Sequence, residues 1–215
     1  MEAPNRHPWW SYLRLSIRAL LVLILLLACW LGWLARTARL QHDAVAAVKK
    51  AGGFVQHDWE WKDGGYVQGQ RRPPGPRWLV DRIGIDYFGN VTIVNLMRCS
   101  DEDMLHIGHL SRLERLNLHG APVTDAGLAH LRGLAHLRVL DLDETRITDA
   151  GLGHLEELTG LQSLGLSGTE VTDRGLDHLK GLGSLRELIL YDGHVTDAGS
   201  AELRRALPKM QIRLR

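Results

Sequence analysis

The 215-residue sequence contains only two cysteines, and aromatic residues make up 6% of it. Two cysteines cannot form a disulfide framework or a four-thiolate zinc site, so a small disulfide-stabilised domain is excluded. The sequence also lacks an excess of charge of one sign, since 26 basic and 25 acidic side chains give a formal net charge of +1. A nucleic-acid-binding protein needs a clustered basic face, and we therefore expect no nucleic-acid partner.

Motifs of catalysis are missing as well. The sequence has no Ser–His–Asp arrangement, no glycine-rich phosphate loop and no HExxH helix. We therefore expect no catalytic residue, no cofactor and no bound metal, and we predict that the protein is not an enzyme. An enzyme is the third hypothesis, and its sign would be a deep pocket with convergent polar groups.

The N-terminal part is basic and apolar. Ala19 to Ala35 is an uncharged run of 17 residues, which as a helix covers about 25 Å of the ~30 Å hydrocarbon core of a bilayer. The side chains of Arg14 and Arg18 before it can extend to lipid headgroups, and tryptophans flank both ends, as is typical of membrane interfaces. The sequence predicts a first domain over residues 1–35, with a cytoplasmic stub and a transmembrane helix over 13–35.

Three interpretations of this apolar run stay open. An uncleaved anchor agrees with the continuation of the run through Trp30 and Trp33. A cleaved signal peptide has the same layout, and Leu26-Leu27-Ala28-Cys29 resembles a bacterial lipoprotein processing site. A buried core helix would need a protein shell that the rest of the sequence does not supply. The arginines before the run favour, by a small margin, a single-pass protein with an extracytoplasmic C-terminal domain.

Residues 36–88 are expected to form a juxtamembrane and capping region. A stack of repeats exposes its first hydrophobic layer, which must be covered, and this tryptophan-rich stretch is the candidate cover. The expected elements are a helix over 36–51 stopped by Gly52 and Gly53, a half-buried strand over 55–62, a loop over 63–77 and a short helix over 78–88.

His57, Asp58 and Glu60 lie close together in this capping region and raise the question of a metal or acid–base site. On an extended strand, successive side chains point to opposite faces, so His57 is expected to face away from Asp58 and Glu60. We therefore interpret the group as part of a capping strand with a polar outer face.

From Leu110 onward the sequence repeats every 24 residues. A shorter unit that begins at Val91 precedes these repeats, and a truncated strand over Met210–Leu214 follows them, which makes five repeats and a sixth strand. Apolar residues, nearly all leucine, recur in four columns. The columns are Leu110, Leu134, Leu158, Leu182 and Ala206; Leu113, Leu137, Leu161 and Leu185; Leu116, Leu140, Leu164, Leu188 and Ile212; and Leu118, Leu142, Leu166, Leu190 and Leu214.

The repeat unit, L-x-x-L-x-L-x-x-(T/N/C)-x-(V/I)-T-D-x-G-L-x-H-L, resembles the leucine-rich repeat. It is similar to the Thr-Asp subtype of the cysteine-containing repeats in F-box proteins and in many bacterial proteins, although only Cys99 keeps the cysteine. The preceding apolar segment makes the chain resemble bacterial membrane-anchored leucine-rich-repeat proteins. The resemblance implies an α/β solenoid over residues 89–215, with parallel strands on the concave face and helices on the convex face, preceded by one transmembrane helix and an α/β cap.

A Thr-Asp pair recurs where each helix is expected to begin. Hydroxyl and carboxylate groups at such a position satisfy free backbone amides and suit the positive end of a helix, so a structural role is predicted. The pairs are Thr124-Asp125, Thr148-Asp149, Thr172-Asp173 and Thr196-Asp197.

A histidine column raises a second metal hypothesis. Stacked imidazoles could chelate a transition ion if the rings converged. The x-H-L position is instead expected to point outward from the helix, and no metal site is predicted there. The column consists of His106, His130, His154 and His178, with Glu202 in the fifth place.

The predicted binding site is the concave face, because solenoids characteristically bind partners on the face lined by strands. Five acidic residues of this face favour a protein or peptide ligand with a basic segment, the serines at its centre form a flat area, and Tyr191 is the expected anchor. The predicted partner-binding residues are Arg115, Asn117, His119, Val139, Asp141, Asp143, Glu144, Ser163, Ser167, Glu187, Ile189, Tyr191 and Asp192.

The function predicted from the sequence is a membrane-anchored, non-catalytic protein–protein interaction module. One alternative is a structural envelope protein that self-associates through its repeats. A second alternative is a lipoprotein or secreted repeat protein produced by N-terminal processing. An F-box-type adaptor is not supported, because a membrane segment stands where that module needs a soluble helical domain.

Overall fold

The computed structural model divides into two compact units, Met1–Ala38 and Arg39–Arg215. Helix α1 runs without interruption from Ile17 to Lys50, so the two N-terminal helices expected from the sequence are one helix. The domain boundaries at residues 35 and 88 stay predictions. The structure describes residues 17–62, 65–66, 77–83, 89–191 and 193–214.

The N-terminal part of α1 is apolar and exposed. Its large apolar side chains between Leu20 and Leu34 are 46% to 65% exposed. The helix is long and apolar enough to cross a membrane, as judged by its length and composition. Within the described residues nothing covers this surface, which differs from a buried core helix.

The C-terminal part of α1 belongs to the second unit and packs into its core. Ala44, Val45 and Val48 are buried there. The helix ends where the sequence predicts, because Gly52 adopts a left-handed conformation with φ of 75°. The Gly52 and Gly53 amides donate to the Lys49 and Val48 carbonyls at 3.1 and 2.9 Å, which is a Schellman arrangement.

The cap of the first repeat differs from the expected one. Strand β1 (Phe54–His57) pairs antiparallel with the strand of the first repeat, and the buried face of α1 packs beside it. Trp78 lies in helix α2 (Arg77–Ile83) and is 69% exposed, so it does not cover the first layer. The cap is therefore built mainly from α1 and β1.

The strand expected over residues 55–62 is interrupted. A 3₁₀ turn at Asp58–Glu60 separates β1 from strand β2 (Trp61–Lys62), which pairs with β3 (Gly65–Tyr66). The turn brings Glu60 back, and its Oε2 accepts the His57 amide at 2.9 Å and lies 3.8 Å from His57 Nδ1. The prediction that His57 faces away from Glu60 was wrong, because the chain is not extended there. Most of the expected loop, and residues 84–88, lie outside the described residues.

The repeats form one sheet of seven strands in the order β1-β4-β5-β6-β7-β8-β9. All neighbours from β4 onward are parallel, and the sixth strand predicted after the five repeats is present. The strands are β4 (Val91–Asn95), β5 (Arg115–Asn117), β6 (Val139–Asp141), β7 (Ser163–Gly165), β8 (Glu187–Leu190) and β9 (Gln211–Leu214).

A short helix follows each of the first five of these strands. In the three central repeats it is a single α-helical turn continued by one 3₁₀ turn, which is shorter than a regular helix. The helices are α3 (Asp101–Ile107), α4 (Asp125–Leu128), α5 (Asp149–Leu152), α6 (Asp173–Leu176) and α7 (Asp197–Ala206), and the 3₁₀ turns are Ala129–Leu131, Gly153–Leu155 and Asp177–Leu179.

The leucine columns form one continuous core. Every leucine of the four predicted columns up to Leu190 is at most 4% exposed, whereas Leu214 in the last strand is 37% exposed. Burial of one such side chain contributes about 1.5–3 kcal/mol relative to exposure. Val123, Ile147 and Val171 add a further buried column between strand and helix. The core thus runs across the repeats rather than within any one of them.

The Thr-Asp pairs connect neighbouring repeats. Thr148 caps α5 by accepting the Ala150 amide at 3.3 Å, as predicted. Asp125 has a different role, because its two carboxylate oxygens accept the amide and the hydroxyl of Thr148 in the next repeat at 2.9 and 2.6 Å. The same pair of bonds joins Asp101 to Thr124, Asp149 to Thr172 and Asp173 to Thr196.

The aspartate also explains the glycine two residues after it in the repeat motif. A Cβ atom at Gly127 would lie 2.5 Å from Oδ1 of Asp101 in the preceding repeat. Gly151 would overlap Asp125 in the same way, as would Gly175 and Gly199 with their preceding aspartates. Only glycine therefore leaves room for the carboxylate that holds the next threonine.

We expect Gly151→Ala to destabilise the repeat unit by about 1–3 kcal/mol, because the new methyl group displaces Asp125 from Thr148. Gly133→Ala is the matched control, since Gly133 is exposed and a Cβ there meets no atom within 4 Å. The control should be neutral or stabilising by up to about 1 kcal/mol. Chemical denaturation followed by circular dichroism measures both variants, and equal effects would contradict the proposed role of the glycine.

Candidate functional site

Of the residues predicted to bind a partner, all but Glu144 and Asp192 lie in three columns beside the buried leucines. Parallel pairing keeps these columns in register across β5 to β8. The columns are Arg115, Val139, Ser163 and Glu187; Asn117, Asp141, Gly165 and Ile189; and His119, Asp143, Ser167 and Tyr191 in the turn after each strand.

The turns after the strands are held by side chains from the second column. Asn117 Oδ1 accepts the His119 amide at 2.9 Å, and Asp141 Oδ1 accepts the Asp143 amide at 3.0 Å. This local bond is the usual one of an Asx turn. Asn117 and Asp141 therefore shape the surface in addition to being presented on it.

Ser167 is less accessible than predicted. It is 9% exposed, because its amide donates to Asp143 Oδ1 at 2.8 Å and its hydroxyl accepts the Tyr191 amide at 3.1 Å. A partner cannot use these groups without breaking the turn. The prediction that the Ser167 side chain is presented outward was wrong.

The centre of the face is not the flat area that the small residues predicted. Gly165 is buried, and a Cβ atom there would lie 2.7 Å from Asp143 Oδ1 and 3.2 Å from Asp141 Oδ1. Both carboxylates thus lie over the backbone of the next strand. The absence of a side chain at Gly165 makes room for them.

The five predicted acidic residues differ in their partners. Glu187 accepts from the Ser163 hydroxyl at 3.3 Å and pairs with Arg213 at 2.7 Å. Asp192 lies outside the described residues. Asp141, Asp143 and Glu144 form no ion pair within the described part of the chain. These three residues, referred to here as the acidic patch, keep their charge unmatched.

Glu144 has a backbone conformation that favours glycine. Its φ is 57°, and the corresponding residues of the neighbouring repeats are Gly120 and Gly168, with φ of 68° and 64°. A residue other than glycine in this left-handed backbone conformation is destabilised by about 1–2 kcal/mol relative to the right-handed one. The repeat thus carries an acidic side chain at a position where the two adjacent repeats have none.

The pKa of the Asp143 carboxyl group is raised above its ordinary value. Burial is the main cause, and the charge of Asp141 adds to it, whereas hydrogen bonds from Ser167 and the proximity of His119 lower the pKa. The charged form of Asp143 is therefore disfavoured in the folded protein.

His119 completes a group of possible metal ligands that the sequence did not reveal. One ligand atom each from His119, Asp141 and Asp143 lies within 4.8 Å of the others. The sequence analysis followed histidines of one column, whereas this group combines two columns. An Asp-x-Asp after one strand, with a histidine 24 residues before its second aspartate, was the available signal.

The histidine column on the helices makes other contacts. His154 Nδ1 lies 2.6 Å from Arg132, and His178 Nδ1 lies 2.5 Å from Glu156. His130 is exposed to solvent. Each of the two contacted rings thus pairs with a charged group of the preceding repeat.

Two further features bear on chemistry. Burial raises the pKa of the Cys99 thiol to about 12, so this cysteine is a core residue rather than a nucleophile at neutral pH.

A surface depression of about 540 Å³ is lined by Lys50, Ala51, Gly52, Phe54, Asn95, Met97 and Arg98. It contains none of the predicted binding residues.

No protein-family model matches the sequence, and no curated protein matches it. Solved structures with a similar fold include an internalin from Listeria monocytogenes, which is 23% identical in sequence. The match covers 50% of this chain and 36% of the internalin chain, with a TM-score of 0.37. A leucine-rich-repeat protein from Leptospira interrogans is 21% identical. The match covers 51% of this chain and 27% of that protein, with a TM-score of 0.41. The ectodomain of the receptor kinase SOBIR1 from Arabidopsis thaliana is 16% identical. The match covers 82% of this chain and 91% of the ectodomain, with a TM-score of 0.46. The chain spans about a third or less of the length of the first two.

The repeat register of the chain itself decides its class. Four successive strand pairings join residues that are 24 positions apart, and the leucine between the outward columns is buried in each repeat. The chain is a leucine-rich-repeat protein. Its fold is an α/β leucine-rich-repeat solenoid, and its assignment to the Thr-Asp subtype stays a prediction.

Within this leucine-rich-repeat solenoid, Asp143→Asn tests the charge of the concave face. Asparagine keeps an oxygen that can accept the Ser167 amide but removes the disfavoured charge, so we expect higher stability than wild type at pH 7. A raised carboxyl pKa in the folded state destabilises the protein only above the unfolded pKa of about 3.9. The difference should disappear below that pH.

Thermal unfolding of both proteins between pH 3 and pH 7 measures this effect. Asp43→Asn, on the exposed surface of α1, is the control and should show no comparable pH-dependent gain. A lower melting temperature of Asp143→Asn at pH 7 would show that the charge stabilises the turn.

Proposed function

We propose that the protein is a membrane-anchored interaction module that binds a protein or peptide with a basic segment on its concave face. The acidic patch of Asp141, Asp143 and Glu144 is the observation that carries the proposal. Its three carboxylates lie within four residues of one another and have no ion-pair partner among the described residues. A basic partner would supply the missing opposite charges.

The backbone at Glu144 supports a role in binding. Glycine occupies the corresponding positions of the two adjacent repeats and avoids the cost of a positive φ. Retention of a charged side chain at such a position is typical of residues that act in binding or catalysis. We infer that Glu144 contributes contacts to the partner that offset its conformational cost.

Tyr191 is the proposed anchor beside the acidic patch. It is half-buried at the end of the third outward column, two repeats beyond Asp143. A tyrosine in such a place offers a rigid apolar ring and a hydroxyl group, which explains the enrichment of tyrosine among binding hot spots. Val139 and Ile189 provide half-buried apolar surface on the same face.

The anchor proposed for this module is the N-terminal part of α1. An exposed apolar helix is unfavourable in water and favourable in a bilayer, because each buried apolar side chain contributes to insertion. The uncharged run Ala19 to Ala35 is slightly shorter as a helix than the hydrocarbon core, which local thinning of the bilayer accommodates. We propose that the repeats lie on the extracytoplasmic side, as the arginines before the run favour.

Charge reversal tests the partner site. We expect Asp141→Lys/Asp143→Lys to lose the crosslinked partners of the full-length protein in its native membrane, because lysines would repel a basic segment. Glu102→Lys/Glu157→Lys makes the same charge change at exposed positions on the helix side and should keep them. Crosslinking followed by mass spectrometry identifies the partners, with circular dichroism as the check on folding.

Two further outcomes decide this test. Weaker crosslinking of the wild-type protein at high salt would agree with a charged interface. Retention of every partner by the Asp141→Lys/Asp143→Lys protein would refute the proposed site.

Membrane anchoring is tested separately. We expect the wild-type chain to resist alkaline carbonate extraction and Leu23→Arg/Leu27→Arg to be released, because each arginine near the centre of a span costs about 2.5–3.5 kcal/mol on the insertion scale. Asp43→Arg/Ala46→Arg, on the polar part of α1, is the matched control and should stay in the membrane. An intact mass that lacks the apolar run would show that the segment is cleaved.

A further inference from the structure

His119, Asp141 and Asp143 come together from two adjacent repeats. Asp141 is the last residue of β6, and Asp143 lies in the turn that follows. His119 occupies the same turn position one repeat earlier, 24 residues before Asp143. The parallel register therefore brings an imidazole beside two carboxylates, with one ligand atom of each residue within 4.8 Å of the others.

These three side chains do not satisfy one another. The half-buried ring of His119 forms no hydrogen bond and no ion pair within the described part of the chain. Each aspartate uses Oδ1 to accept a backbone amide, from Asp143 itself in one case and from Ser167 in the other. Asp143 also accepts a hydrogen bond from the Ser167 side chain. Within the described part of the chain, Asp141 thus has a second oxygen available for another partner, and the imidazole has both ring nitrogens.

We propose that His119, Asp141 and Asp143 bind one divalent transition-metal ion of the Zn²⁺ type on the concave face. Nitrogen and oxygen ligands lie about 2.0–2.2 Å from Zn²⁺ in a tetrahedral arrangement, so two ligand atoms of one ion are separated by about 3.4 Å. The three ligand atoms lie within 4.8 Å of one another and would have to approach by side-chain rotation to reach this spacing. Solvent can fill the remaining coordination positions, because all three residues are partly exposed.

The donor set selects the class of ion. One imidazole nitrogen and two carboxylate oxygens suit Zn²⁺ and similar first-row ions, whereas Ca²⁺ and Mg²⁺ prefer oxygen ligands alone. A divalent cation also removes the repulsion between the two aspartates.

The site does not depend on the proposed partner. An ion and a basic peptide would compete for the same two carboxylates, so each can be tested without the other. A Cβ atom at Gly165 would lie 2.7 Å from Asp143 Oδ1 and 3.2 Å from Asp141 Oδ1, so a side chain there would shift the Asp143 carboxylate.

Titration of the full-length protein with Zn²⁺ tests the proposal. The chain is held in detergent, stripped with a chelator and titrated in a calorimeter with ZnCl₂ alone, and MgCl₂ serves as the comparison. We expect one Zn²⁺ per chain at this site and no comparable binding of Mg²⁺. His119→Ala and Asp143→Asn should each weaken Zn²⁺ binding by about tenfold or more, since even changes around a ligand cost 10–100-fold.

Two controls keep the result interpretable. His130→Ala removes an exposed histidine of the helix column and should leave the Zn²⁺ affinity unchanged. Asp143→Asn keeps an oxygen for the Ser167 amide, and its melting curve shows whether the turn is intact. An unchanged affinity in His119→Ala, or no Zn²⁺ binding by the wild-type protein, would refute the site. Loss of Zn²⁺ binding with crosslinked partners retained would separate this site from the proposed function.

Discussion

The structure depends on the stacking of units that cannot fold alone. A three-residue strand and one or two helical turns cannot enclose their leucines, so each repeat completes the core of its neighbour. The bond from each aspartate to the threonine of the next repeat fixes the distance and the register of this stacking. Concave-face residues are positioned by the same constraint, because a strand that slipped by one residue would exchange its buried and outward side chains.

The site follows from differences between repeats that are otherwise alike. The core columns keep leucine, whereas the outward positions range from Arg115 to Gly165 and Ile189. Where two aspartates follow one strand and a glycine lies opposite them on the next, the carboxylates gather over the backbone. The local chemistry thus arises from the combination of two repeats, and no single repeat contains it.

Most of the repeat domain could be predicted from the sequence, because its leucines recur at a fixed spacing and a repeated core leaves few alternatives. The burial of those leucines up to Leu190, the sixth strand and the capping threonines agree with the prediction. The cap and the site were harder to predict. The helix expected over residues 36–51 is continuous with the apolar run, and the return of Glu60 toward His57 depends on an irregular turn. Ser167 is buried by a bond to a residue 24 positions away, which no local pattern reveals.

The aspartate-to-threonine bonds have a direction along the stack. The aspartate of each repeat accepts hydrogen bonds from the threonine of the next repeat, and its own threonine donates to the aspartate of the preceding repeat. Every internal unit therefore presents the same pair of surfaces to its neighbours. A gene segment that encodes one 24-residue unit can be duplicated or deleted without creating a mismatched junction, because the strand pairing and the aspartate-to-threonine bonds on both sides keep their spacing. The number of repeats, and with it the length of the concave face, can therefore change in evolution while the rules of assembly stay the same.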